Sequence, residues 1–256
     1  MKSTQKTTSH LVAGVLAMGA LGVANAAIIN TKHNLGSQQT ITNANETTAT
    51  AEICVFCHTP HAAGVAKAPL WNKGLPSGSY SMYSSSTMEA ATTGQPGGIS
   101  LACLSCHDGT QAMDNVINAP GSGGYNSAGA RMTGTWSGTN QSGGQMTGLA
   151  NLGKDLTNDH PIGIKYCGNA QTSGGSCTDP DFFSYVVSGS GGYVDRTMGT
   201  GLSAGVRDKG DMWLYNNGSG GLMVECASCH DPHSGNQTFL RASNSSSQVC
   251  LTCHNK

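Results

Sequence analysis

The chain has 256 residues, of which 37% are hydrophobic and 5% aromatic, and 36 are glycine. This is too little apolar material for an ordinary side-chain core, so another source of apolar surface is expected. Charged residues make up only 11% of the chain and sum to a net charge of -1. That balance excludes the basic surface that a nucleic-acid partner requires.

Residues 1–26 have the pattern of a secretory signal peptide. Lys2 and Lys6 precede a short apolar run, and Ala24-Asn25-Ala26 supplies the small residues that signal peptidase cuts. The run is shorter than the roughly 20 residues of a membrane-spanning helix, which favours cleavage over an uncleaved anchor. The mature chain, 27–256, is therefore predicted to be exported, mildly acidic and without a membrane span.

Four copies of the pattern Cys-x-x-Cys-His follow a polar arm at 27–53. They are Cys54-Val55-Phe56-Cys57-His58, Cys103-Leu104-Ser105-Cys106-His107, Cys226-Ala227-Ser228-Cys229-His230 and Cys250-Leu251-Thr252-Cys253-His254. This pattern is typical of c-type haem attachment, because two thiols on one helical turn can bond both vinyl groups of a porphyrin. The adjacent histidine then offers a proximal ligand to the iron. Zinc ribbons and redox motifs also use Cys-x-x-Cys, but neither needs a histidine after every pair.

The sequence thus predicts four haem c groups with proximal ligands His58, His107, His230 and His254. Four further histidines of the mature chain match the haems in number, which suggests bis-histidine coordination throughout; they are His33, His61, His160 and His233. Methionine at one haem is the competing distal ligand. The candidates for it include Met82, Met88, Met113, Met212 and Met223.

Two of the four motifs continue as His-x-Pro-His, ending at His61 and His233. A residue three positions beyond the proximal histidine lies on much the same side of the local backbone, so it cannot reach the opposite face of the same porphyrin. Each of these two histidines is therefore expected to bind the iron of a different haem. Such a motif would hold two haem rings close together.

The segment 111–225 is rich in glycine and serine and contains the two remaining cysteines, Cys167 and Cys177. In an exported chain this pair is predicted to form a disulfide, with a free or redox-active pair as the alternative. The segment is expected to be loops with a small hairpin near 182–193. Trp71, Trp136 and Trp213 could pack on haem or in an ordinary core.

The predicted fold is mostly coil with short helices and few strands, organised as a multihaem cytochrome c around a stacked haem chain. It is one tetrahaem domain over 27–256. Its parts are an N-terminal arm (27–53), a first haem pair (54–110), the glycine- and serine-rich middle (111–225) and a second haem pair (226–256).

The motifs resemble those of the extracellular multihaem cytochromes of metal-reducing bacteria, most of all the filament-forming ("nanowire") tetrahaem OmcE type. The resemblance is carried by the segments Lys32-His33-Asn34-Leu35, Cys54 to His61, Pro69-Leu70-Trp71-Asn72, Cys103 to Gly109, Asn158-Asp159-His160-Pro161-Ile162-Gly163 and the two closing motifs. It implies a head-to-tail homopolymer at the outer cell surface, without a catalytic centre. Such a polymer would receive electrons from periplasmic or outer-membrane cytochromes and pass them to extracellular acceptors. In such filaments one haem takes its distal histidine from the next subunit, and His33 on the arm is the candidate.

Two other functions remain open from the sequence. One is a monomeric periplasmic multihaem electron carrier. The other is a multihaem reductase, which would need an iron with an open position; four spare histidines for four haems leave none.

Overall fold

Helices are short and lie mainly at the cysteine motifs. The computed structural model describes residues 27–42, 44–64, 68–90, 94–121, 124–168, 170–195, 208–218 and 220–255. Within these ranges the α-helices are α1 (Gly98–His107), α2 (Cys226–Cys229) and α3 (Gln248–Leu251). The 3₁₀-helices are Ala27–Asn30, Cys54–Phe56, Gly148–Ala150, Gln237–Phe239 and Ser245–Ser247. The helical turn expected at each motif is confirmed.

The strands are short, and they occupy the middle of the chain more fully than the sequence predicts. In the described ranges they are β1 (Glu46–Thr47), β2 (Ser81–Met82), β3 (Asn115–Asn118), β4 (Tyr125–Arg131), β5 (Trp136–Ser137), β6 (Gln141–Ser142), β7 (Gln145–Met146), β8 (Asp155–Leu156), β9 (Ile164–Lys165), β10 (Val186–Ser188), β11 (Gly191–Val194), β12 (Met212–Asn216) and β13 (Leu222–Val224). They form four two-stranded pairs, β1-β5, β2-β8, β3-β4 and β6-β7, and one five-stranded sheet. Most of the chain is nevertheless coil, as expected.

The five-stranded sheet has the order β10-β11-β12-β13-β9, and each neighbouring pair is antiparallel. Its first hairpin, β10-β11, confirms the one predicted near 182–193. The predicted disulfide between Cys167 and Cys177 is also confirmed, with a Cα–Cα distance of 5.7 Å. It follows β9 and packs with the largest buried cluster, which includes Tyr166, Tyr185 and Met212.

Three smaller buried clusters lie around the first two motifs. One contains Leu35, Phe56 and Met113 and packs against Cys57 and Cys106. The other two are centred on Ala68, Trp71 and Ala102, and on Tyr80, Leu104 and Leu156. Each has only three buried members, so the part of the chain that carries these motifs has little apolar core of its own.

The proposed domain boundaries stay a prediction. The signal peptide, 1–26, lies outside the described residues. Among the described residues, no helix is long and apolar enough to cross a membrane.

Candidate haem-binding sites

Each motif places its two thiols and its histidine on one turn of helix. In three of them the backbone N–H of the histidine donates to the backbone carbonyl of the first cysteine. These bonds are His58 to Cys54 at 2.8 Å, His230 to Cys226 at 3.1 Å and His254 to Cys250 at 3.0 Å. The second motif forms the end of α1, whose last residue is His107. This local geometry is what attachment of one porphyrin through two neighbouring thiols requires.

Three proximal imidazoles are fixed by hydrogen bonds from Nδ1 to backbone carbonyls. The acceptors are Pro69 O for His58 at 2.7 Å, Ala150 O for His107 at 2.8 Å and Thr238 O for His230 at 2.8 Å. A carbonyl oxygen can only accept, so in the neutral imidazole Nδ1 carries the proton and Nε2 is the nitrogen with a free lone pair. An imidazole oriented in this way presents Nε2 as a candidate metal ligand.

Two pairs of histidine rings face each other across gaps of similar width. The ring centroids of His58 and His233 are 6.0 Å apart with an interplanar angle of 15°, and those of His107 and His33 are 6.2 Å apart at 67°. Metal–nitrogen bonds of about 2 Å on opposite sides of one iron would separate two imidazole centroids by about 6 Å. Both pairs therefore have the spacing of a bis-histidine site.

His33 is held in a defined environment on its own chain. Its ring stacks on Phe239, with centroids 4.0 Å apart and planes at 13°, and its Nδ1 lies 3.2 Å from Pro232 O. Burial, followed by the neighbouring His107, lowers the pKa of His33 to about 4. The imidazole is therefore neutral at physiological pH, which is the form that binds a metal.

The expectation that His33 reaches a haem of the next subunit stays a prediction; within one chain His33 lies beside His107. The arm does not extend away from the chain. Leu35 is buried and its carbonyl accepts a hydrogen bond from Thr47 N at 2.9 Å, and Thr47 pairs with Trp136 of β5, which ties the arm to the middle of the chain. His33 therefore lies beside the second motif of its own chain.

His61 and His160 are exposed and are not brought into ring contact with His230 in the part of the chain described. The backbone carbonyl of His61 accepts from Asn118 Nδ2 at 2.6 Å, while Nδ1 of His160 lies 3.0 Å from Pro161 O. Their roles as distal ligands stay a prediction.

Neighbouring motifs in the sequence are also neighbours in space. Their cysteines lie beside one another in the pairs Cys57–Cys106, Cys103–Cys226 and Cys229–Cys250. Burial, and then the adjacent Cys106, raises the pKa of Cys57 to about 12. Burial, and then Cys250, raises the pKa of Cys229 to about 11. The four motifs thus follow one another through space in chain order.

Two charged residues near the motifs were not singled out from the sequence. Lys73 is fully buried, and its Nζ donates to the carbonyls of Ala112, Met113 and Asn115 at 3.0, 3.1 and 2.8 Å. Glu225 is also buried, directly before the third motif. No local sequence pattern marks these two residues, because a buried lysine or glutamate depends on partners that lie far away in the chain.

The surfaces beside the histidine pairs suit a porphyrin. Leu70 follows the carbonyl that holds His58 and is 54% exposed, and Leu149 precedes the carbonyl that holds His107 and is 101% exposed. The flat apolar face of a bound porphyrin would cover these two leucine side chains, which follow or precede the residues that hold the imidazoles. Among the described residues, no group of three or more His, Cys, Asp or Glu side chains is placed to hold a metal ion.

Comparison with known families agrees with the two closing motifs. Residues 221–256 match the Doubled CXXCH motif family. This family is typical of multihaem c-type cytochromes, so the second pair of motifs marks a chain that binds haem c covalently and takes part in electron transfer. The match begins just before β13 and includes both closing motifs. None of the curated proteins compared with the chain matches it.

Proposed function

We propose that the protein is an electron-transfer protein that binds four c-type haems, each six-coordinate with two histidines. The observation that carries the proposal is the pair of histidine contacts, His58–His233 and His107–His33, at 6.0 and 6.2 Å. A bound haem supplies a one-electron iron couple. In this assignment His233 serves a motif other than its own, as its short distance from His230 requires.

The chain's own residues then do three things. The carbonyls of Pro69, Ala150 and Thr238 orient the proximal rings, and Phe239 holds His33 in place. The contacts between successive motifs keep neighbouring sites close, which suits stepwise electron transfer. Two histidines on one iron leave no open position for a substrate, which supports a conduit over a reductase.

The coordination can be tested by spectroscopy of the oxidised holoprotein. The angle between two axial imidazole planes sets the anisotropy of a low-spin ferric signal. The near-parallel pair at 15° should give a rhombic signal, and the steeply inclined pair at 67° a strongly anisotropic one. His233→Ala should remove a rhombic signal and His33→Ala an anisotropic one, each leaving one high-spin iron.

Phe239→Leu is the matched control, because it removes the ring stacked on His33 but keeps the imidazole. It should leave every iron low-spin. Mass spectrometry of the mature protein should find four covalent haems and a first residue of Ala27. A low-spin spectrum in both alanine variants would refute the assignment, and retained zinc would refute haem binding altogether.

For the assembly, we infer that the protein is exported and forms a head-to-tail filament that carries electrons to extracellular acceptors. The resemblance of the motifs to filament-forming tetrahaem cytochromes supports this. With His33 engaged in its own chain, the exposed ring of His61 is the better candidate for a ligand to a neighbouring subunit. A contact between different surfaces of two subunits generates an open filament unless the rotation closes it.

The position of His33 supports a second candidate, a monomeric periplasmic carrier, since an arm whose histidine binds within its own chain would not link subunits. Negative-stain electron microscopy of the holoprotein distinguishes the two. We expect filaments in the wild type and in His33→Ala, and their loss in His61→Ala. Wild-type protein that stays monomeric at all concentrations would contradict the filament and support the carrier.

A further inference from the structure

The segment from His230 to His233 contacts two candidate distal imidazoles through different chemical groups. The carbonyl oxygen of Pro232 lies 3.2 Å from Nδ1 of His33, and Oδ1 of Asp231 lies 3.4 Å from Nδ1 of His233. The first group is a neutral amide carbonyl and the second is a carboxylate. Two neighbouring residues therefore place a neutral group behind one ring and a negative charge behind the other.

The contact at His233 also differs from those of the proximal rings that face the two distal ones. Nδ1 of His58 lies 2.7 Å from a backbone carbonyl, and Nδ1 of His107 lies 2.8 Å from another. With the carbonyl behind His33, three of the four rings in the two facing pairs have a neutral acceptor. In the described part of the chain, His233 is the one of these four whose ring contacts a carboxylate.

Asp231 is held in this position by its own hydrogen bonds. Its Oδ1 accepts from the backbone N–H of His233 at 2.9 Å, and its backbone N–H donates to Phe239 O at 2.8 Å. Its backbone carbonyl accepts from Ser234 N at 2.9 Å, and the ring of Pro232 restricts the backbone in between. The Asp231 side chain is only 12% exposed, so water screens its charge little.

A nearby cation offsets part of this charge without replacing the imidazole contact. Nη1 of Arg241 lies 3.9 Å from Oδ2 of Asp231, whereas Oδ1 is the oxygen that contacts His233. The guanidinium also donates to backbone carbonyls, from Nε to Ala227 O at 2.9 Å and from Nη1 to Lys209 O at 3.0 Å. One carboxylate oxygen of Asp231 is thus left for the imidazole.

We propose that Asp231 is a positioning residue that makes His233 the more basic axial ligand and so lowers the reduction potential of the iron that His233 binds. The proposal rests on the proposed haem binding and adds which side chain tunes one of the haems. When Nε2 of a neutral imidazole binds a metal, Nδ1 carries the proton. Donation of that proton to a carboxylate raises the basicity of the ligand, and a more basic ligand favours ferric over ferrous iron. The carbonyl behind His33 carries no charge, so the effect is confined to the pair His58–His233.

The test uses the holoprotein and a substitution that keeps the shape of the side chain. Asp231→Asn retains an oxygen that can accept from the backbone of His233, but it removes the negative charge. Asp108→Asn is the matched control, because Asp108 follows the histidine of the second motif in the same way. The buried carboxylate of Asp108 accepts from Tyr80 Oη and from Thr110, and not from an imidazole. Redox titration followed by electron paramagnetic resonance separates the rhombic signal of the near-parallel pair from the anisotropic signal of the inclined pair.

We expect Asp231→Asn to raise the midpoint potential of the rhombic signal by about 59 mV, which is a tenfold change in a one-electron equilibrium constant. The anisotropic signal should keep its midpoint in Asp231→Asn, and the rhombic signal should keep its midpoint in Asp108→Asn. A rhombic signal that titrates in Asp231→Asn as it does in the wild type would overturn the proposal.

Pulsed electron paramagnetic resonance of the wild type gives a second measurement, which serves if the variant does not fold. The quadrupole coupling of an Nδ1 nitrogen reports the strength of the hydrogen bond that its proton makes. The rhombic signal should therefore contain two different couplings, one from His58 and one from His233, and two equal couplings would overturn the proposal. Haem counting by mass spectrometry on the same samples detects separately any failure of haem binding, which would contradict the proposed function instead.

Discussion

Glu225 links the second and third motifs, so its removal should destabilise both. Both oxygens of its carboxylate accept from Gly97 N, each at 3.1 Å. The carboxylate also accepts hydrogen bonds from Ser100 Oγ and, at 3.4 Å, from Asn217 Nδ2. These groups surround the first turn of α1, where a negative charge also complements the helix dipole. A Cβ at Gly97 would collide with the carboxylate, so the close approach depends on glycine there.

The size of the effect follows from the groups left without a partner. Glu225→Ala would leave a buried backbone N–H and a buried hydroxyl unsatisfied, at about 1–3 kcal/mol each. It would also remove the cap that the Glu225 side chain provides at the start of α2, worth about 1 kcal/mol. We expect a loss of about 3–5 kcal/mol in the free energy of unfolding. Glu225→Gln keeps the volume and one acceptor, so it should cost about 1–3 kcal/mol.

The assay is guanidinium unfolding of the holoprotein followed by near-ultraviolet circular dichroism. Glu52→Ala, at an exposed carboxylate, is the control and should stay within about 0.5 kcal/mol of the wild type. A loss below about 1 kcal/mol for Glu225→Ala would refute the network as a source of stability.

The same residue predicts a pH dependence. Burial raises the pKa of Glu225 above its ordinary value of 4.5. A raised pKa in the folded state gives a contribution to stability that is full below the pKa of the unfolded chain and is lost as pH rises through the folded pKa. The stability advantage of the wild type over Glu225→Gln should therefore shrink as pH rises above 4.5. An advantage that grew with pH would contradict this sign.

Three further outcomes are expected. Lys73→Met should lower the free energy of unfolding by about 2–4 kcal/mol in the same assay, because three buried carbonyls lose their donor. Replacing Cys167 and Cys177 by serine should cost roughly 2–3 kcal/mol, the value for a loop with a sequence separation of 10; no loss would contradict it. Hydrogen exchange of haem-free protein should keep protection in the sheet residues of 164–224 and lose it around the first two motifs; uniform protection would contradict it.

Local structure could be predicted where a short sequence pattern dictates it. The helical turn at each motif follows from the need to present two thiols and a histidine together. The hairpin at 186–194 follows from its glycine-rich turn. Strands β9, β12 and β13 could not be found in the same way. Two to five residues are too few to show alternation, and β9 pairs with β13 across a long stretch of sequence.

The candidate sites likewise divide into residues that a short sequence pattern predicts and contacts that it does not. Spacing alone predicts His58 and the other proximal histidines, and counting predicts the remaining four as distal ligands. Which of these faces which motif depends on contacts between distant segments. His33 shows this most clearly, since Pro232, the acceptor of its Nδ1, lies 199 residues further along the chain. A polar arm with no apolar periodicity gives no sequence signal for that contact.

The uneven distribution of buried apolar residues explains why the prosthetic groups matter to the fold. The sheet region has its own core, built from Tyr166, Tyr185, Val194 and other members of one cluster and closed by a disulfide. Around the first two motifs the clusters have three buried members each, too few to offset the entropy of ordering that segment. The apolar surface missing there is what flat porphyrin rings between His58 and His233, and between His107 and His33, would provide. The same residues that bind the haems would thus be those that need them in order to fold.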